Sequence, residues 1–187
     1  GKEKKTAKHK VPKGERIFDF AVDELVLVGG ALAKNAKVSY HCNEMECRYI
    51  SANIKVDDEH FINLSIDPKA SPPFLLEGES LGSMLKGLSI GSNFKGGKIS
   101  AKGELSEGDK KAMSGEFVLS DFALSGNTLL ARLLSLTTIP GIIKISKHLE
   151  FEKVKGNFAW EKKELQLDKV RSYGAKLGIT ATGFVNF

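Results

Sequence analysis

Gly87-Leu88-Ser89-Ile90-Gly91 has the Gly-x-Ser-x-Gly spacing of a serine-hydrolase nucleophile elbow, and Asp121 and His148 follow it in Ser–Asp–His order. That chemistry needs the serine on a strand-to-helix turn of a parallel sheet, where a base and an oxyanion hole converge on the hydroxyl. Here Ser89 falls at the end of a helical pattern, and strands and helices do not alternate along the chain. The spacing therefore predicts no hydrolase. His9, His41 and His60 sit in a basic segment, at a strand end and in a turn. No H-E-x-x-H, P-loop or G-x-G-x-x-G motif occurs. Asp57-Asp58-Glu59 reads as a solvated turn. The expectation is a non-enzyme with no catalytic residue, no metal and no cofactor.

Cys42 and Cys47 flank four residues between two strand-like runs, 37–42 and 47–56. A hairpin loop of that length would set the two thiols opposite each other. Two thiols and His41 match no standard zinc spacing. Two readings stay open: a disulfide in an oxidising compartment, or two buried thiols in a reducing one.

The elements that must carry any site come next. The chain has 187 residues, 41% of them hydrophobic and 27% charged, which excludes a disordered tail, a collagen-like fibre and a disulfide-dense miniprotein. No apolar run reaches the roughly 20 residues of a membrane-spanning helix. The first residue is glycine, followed by lysines rather than a signal peptide, so a piece of a longer protein is expected. Residues 1–16 hold seven basic and two acidic side chains, whereas the rest holds 21 of each sign. The net charge of +5 therefore belongs to a basic tail, 1–16, ahead of a neutral domain, 17–187. The tail has no interleaved aromatics, which reads as a solvated linker without nucleic-acid binding.

Period-two alternation dominates the domain. It appears at Phe18 and Phe20; Leu25 and Leu27; Ile62, Leu64 and Ile66; Phe117 and Leu119; Phe158 and Trp160; Leu165 and Leu167; and Ala175, Leu177, Ile179 and Ala181. Turn signals lie at Gly29-Gly30, 43–46, 57–59, Gly96-Gly97, 106–110 and 161–163. The pattern predicts a mainly β fold: a curved antiparallel sheet, groove-like or half-barrel, in meander order. Two stretches have helical spacing instead. Leu81, Met84, Leu85 and Leu88 predict a short amphipathic helix over 77–90. Leu129, Leu130, Leu133, Leu134 and Leu136 predict a second over 127–139, with Asn127 as N-cap and Pro140-Gly141 as its stop.

Several stretches carry a family resemblance: 75–88, 94–105, Gly115-Glu116-Phe117-Val118-Leu119-Ser120-Asp121-Phe122-Ala123-Leu124, Leu130-Ala131-Arg132-Leu133-Leu134-Ser135-Leu136, 149–158 and Leu177-Gly178-Ile179-Thr180-Ala181-Thr182-Gly183. Together they resemble the C-terminal part of the AsmA-like family of bacterial envelope proteins, the YhdP- and TamB-like type. Asn127-Thr128 and His148-Leu149 depart from the family pattern. The resemblance implies a periplasmic segment of a longer, inner-membrane-anchored protein. It also implies an apolar β-groove that binds phospholipid acyl chains and supports lipid transport between inner and outer membrane. On that reading the lipid-facing residues are Phe117, Leu119, Phe158, Trp160, Leu165, Leu167, Leu177, Ile179 and Ala181, and a periplasmic site favours a Cys42–Cys47 bridge. Partners would be phospholipid, a membrane surface of the envelope or an envelope protein.

Alternation alone does not choose between an open groove and a dry core, because any half-buried sheet alternates. Two function classes therefore stay open: a lipid-conducting segment, and a non-catalytic envelope-assembly or scaffold module that binds another protein.

Overall fold

The computed structural model describes residues 14, 16–43, 47–56, 60–89, 93–106, 112–125, 148–173 and 180–186. Ten strands form one antiparallel sheet in strict chain order: β1 Arg16–Val26, β2 Leu32–Cys42, β3 Cys47–Lys55, β4 Phe61–Ile66, β5 Phe74–Glu79, β6 Phe94–Leu105, β7 Met113–Ser125, β8 His148–Glu161, β9 Glu164–Tyr173 and β10 Thr180–Asn186. The meander expected from the alternation is present, and the sheet is open, with β1 and β10 as its two edges.

One helix, α1 Leu81–Gly87, interrupts the meander between β5 and β6. It is shorter than the 77–90 expected from the leucine spacing. Glu77 and Glu79 belong to β5, where they pair with Ser100 and Lys98. Leu88 is the C-cap rather than a helical residue and is 56% exposed. Ser80, the N-cap, takes φ 62°, so the helical turn cannot start before Leu81. The second expected helix, with Leu129, Leu130, Leu133 and Leu134, lies outside the described residues, as do Leu177 and Ile179.

The Gly96-Gly97 turn expected from the sequence is instead the inside of β6, where both glycines take positive φ. Gly97 is where α1 leans on the sheet: a Cβ there would stand 2.6 Å from the Cβ of Phe122 and 3.2 Å from that of Leu81. What looked like a chain reversal is a close approach within a strand.

The alternation also slips by one residue in several strands. Ala33 and Ala36 both face inward on β2, with Asn35 at φ 48° between them. Leu119 and Phe122 do so on β7 around Asp121, at φ 56°. Leu167 and Val170 do so on β9 around Lys169, at φ 51°. A left-handed residue resets the pleat, as at a β-bulge, and lets each long strand keep one apolar face while it bends.

The curvature follows from what α1 touches. The helix packs on β6 and β7. At its other end the Gly87 carbonyl accepts a 2.9 Å hydrogen bond from the Gly29 amide in the β1–β2 turn. On a flat sheet β2 and β6 lie four strand spacings apart, roughly 19 Å. A seven-residue helix is only about 10 Å long. Both contacts hold together only because the sheet curls around the helix. Glycine makes both approaches possible: a Cβ at Gly29 would sit 1.6 Å from the Lys86 carbonyl oxygen, and one at Gly82 would sit 2.5 Å from that of Phe94.

Candidate functional site

The inner face of the sheet is an apolar surface organised in register rows. Directly paired residues of an antiparallel sheet share a face. One row runs through all ten strands: Phe18, Tyr40, Ile50, Ile66, Phe74, Gly103, Gly115, Phe158, Leu167 and Gly183. A second row, one pleat nearer α1, holds Phe20, Val38, Ala52, Leu64, Leu76, Ala101, Phe117 and Gly156. Neither row contains a charged side chain.

At the centre of the first row, Gly103 and Gly115 stand opposite each other between Phe74 and Phe158. The Phe74 and Phe158 rings meet edge to face with centroids 5.6 Å apart, although two strands separate them. They can meet because neither intervening residue has a side chain. The two glycine strands are also pressed together there. A Cβ on Gly103 would lie 2.2 Å from the Ser114 carbonyl oxygen, and one on Gly115 would lie 2.1 Å from that of Lys102.

The face changes character along its length. At the α1 end, Leu81, Met84, Phe122, Leu124, Leu149 and Phe151 form a buried cluster, with Phe122 and Phe151 stacked at 5.0 Å. The next row, Ile62, Ile99, Leu119 and Val154, packs against that cluster and is only partly buried. Beyond it the floor is only partly covered: Phe74 and Ala101 are buried, at 7% and 6% exposed, but their neighbours are not. Leu64, Leu76, Phe117, Phe158 and Trp160 are half-buried, while Phe18 and Phe20 on the edge strand are 44% and 54% exposed.

The outer face is polar and laced with cross-strand pairs. Lys102 meets Glu116 at 3.0 Å, Lys98 meets Glu79 at 3.7 Å, and the Ser39 hydroxyl donates to Asp19 at 2.6 Å. Asn53 donates through its amide to Asn63. Such exposed pairs fix register more than they add stability.

Of the residues expected to face lipid, Phe117, Phe158, Trp160, Leu165 and Leu167 share the open floor. Leu119 lies in the row against the buried cluster, so it belongs to the closed end. Ala181 is opposite Val170 on the edge strand and is exposed. The residues not anticipated are the β1–β5 half of the same face: Phe18, Phe20, Val38, Tyr40, Ile50, Ile66 and Phe74. Their alternation was visible, but nothing in a linear pattern says that two distant runs share one face.

The serine motif is not assembled. Ser89 follows α1 and its C-cap, and is exposed. Asp121 is exposed in the middle of β7. His148 pairs with Ser125, four residues and roughly 13 Å along β7 from Asp121. Cys42 and Cys47 are joined by a disulfide at the end of the β2–β3 pairing. The neighbouring His41 ring lies against Tyr49, 4.4 Å between centroids. No group of three or more metal-ligating side chains occurs among the described residues. Among them, too, no helix is long and apolar enough to cross a membrane.

No family model, no curated protein and no solved structure matches this chain. The AsmA-like resemblance rests on the quoted sequence stretches alone.

Proposed function

We propose that this chain is a non-catalytic periplasmic segment of a longer, inner-membrane-anchored envelope protein, and that its inner sheet face binds phospholipid acyl chains in support of lipid transport between the two membranes. One observation carries the reading: an uncharged row crosses all ten strands, and at its β1 edge Phe18 is 44% exposed. Monomeric soluble proteins rarely leave apolar patches beyond a few hundred Å² open to water, and larger ones mark binding surfaces. A hydrocarbon chain needs no directional partner, which suits a surface without polar anchors. A disulfide at Cys42–Cys47 accords with an oxidising compartment.

Native mass spectrometry of the purified chain tests this. Phospholipid or fatty acid should travel with the wild type and be absent from a folded Val38→Asp chain. A delipidated wild type that takes up no lipid from vesicles sinks the reading.

A second reading, a scaffold that binds another protein, draws on β1. All eleven of its residues are exposed, and its outer backbone edge faces no strand among the described residues. Such an edge accepts an added strand.

A further inference from the structure

We propose that the groove is blind-ended, taking a single acyl tail end-first, and that α1 is the stop that sets how long a tail it holds. This rests on the acyl-binding reading above. The helix spans the curl at one end, held by the β1–β2 turn on one side and by β6 and β7 on the other. Along the inner face, side chains pass from half-buried at Phe117 to 5% exposed at Phe122, five residues farther down the same strand. Leu81 of α1, 1% exposed, fills the space that a continuing channel would need. A tail sliding along the floor passes over the Phe74–Phe158 ring pair, then meets Val154 and Leu119 and finally close-packed side chains, which leave no room for it.

At the opposite end no described element covers the face, and the chemistry differs. Its floor ends at Leu105, Met113 and Trp160, which lie in one register row. The turns around it carry charge of both signs: Asp67 and Lys69 between β4 and β5, and Glu161 with Lys162 between β8 and β9. An uncharged floor behind a rim of mixed charge complements an amphiphile whose tail lies inside and whose head group stays in water. Depth agrees with one tail. Six residues separate Trp160 from Val154 on β8, roughly 20 Å of strand. One leaflet's share of the bilayer's hydrocarbon core is about 15 Å.

The test titrates the delipidated full chain with lysophosphatidylcholines of increasing saturated tail length, by calorimetry. In the wild type, affinity should rise about fourfold per added methylene and then level off once the tail reaches α1. Met84→Ala removes bulk at the stop and should move the plateau to longer tails. Ala52→Leu narrows the floor without touching α1 and should move it to shorter ones; thermal melts establish that each variant is folded. Affinity that keeps rising with the longest tails overturns the blind end while leaving tail binding intact. A plateau that neither variant moves also overturns it. Absence of binding at every tail length overturns the acyl-binding reading, and the blind end with it.

Discussion

Phe122 and Phe20 occupy the same face of the same sheet, yet one is 5% exposed and the other 54%. Both sit in alternating strands among apolar neighbours. The difference is what lies over them. Phe122 has Phe151 stacked on its ring and lies in one cluster with Leu81 and Met84. Phe20 has an edge-to-face contact with Tyr40 on the neighbouring strand, 6.3 Å between centroids. The α1 helix covers the Phe122 end, whereas Phe74, 7% exposed, is covered within the face itself by Phe158. In this molecule seven helical residues cover one end of a ten-strand face. The closed end stabilises the curl, and the edge strand β1 stays exposed.

Aspartate substitutions draw that comparison most sharply. Phe122→Asp places a carboxylate in the covered cluster with no partner, costing several kcal/mol, which is most of a typical domain's stability. That chain should be recovered unfolded or insoluble. Phe20→Asp leaves the carboxylate in water and should fold with a melting temperature only a few degrees lower. Equal losses by thermal melt would mean that the two ends are not different environments.

A smaller effect is expected midway along the face. Gly103→Ala and Gly115→Ala each drive a Cβ into the backbone of the paired strand, so the crease between β6 and β7 must open. Overpacking of this kind costs about 1–3 kcal/mol. It should also spread Phe74 from Phe158. Chemical denaturation measures the first, and loss of the near-ultraviolet aromatic signal reports the second. Alanine variants as stable as the wild type would mean that the crease is not needed for the curl.

The smallest change belongs to the outer face. Lys102→Ala breaks the 3.0 Å pair with Glu116, but both side chains are more than half exposed. The loss should stay below about 1 kcal/mol and shrink further at high salt. Tail binding should be unaffected, because Lys102 lies on the face opposite the groove. A marked loss of binding would place the ligand outside the inner face.

Much of this architecture was legible in the residue order. Period-two runs at Phe18 and Phe20, Ile62 to Ile66, Phe158 and Trp160, and Leu165 and Leu167 identified the strands and their order, because each alternation is a local property of the pleat. Leu81, Met84 and Leu85 marked α1 through helical spacing. Local pattern failed where a strand broke its own rhythm. Gly96-Gly97 looked like a turn, and the alternating runs read from the sequence ended at Leu119 and Leu167, short of Asp121 and Lys169. Each is a positive-φ site inside a continuous strand. A positive φ serves a turn and a bulge equally well, and only the pairing partner tells them apart.

The sequence by itself determined that the chain is an alternating antiparallel meander with one strongly apolar face. Only the tertiary structure decided which parts of that face are covered. Burial depends on curvature and on the meeting of α1 with the β1–β2 turn, and those contacts join residues more than fifty positions apart through backbone atoms at Gly29 and Gly87. Backbone contacts of that kind leave no hydrophobic signature in the chain, since what they require is the absence of a side chain.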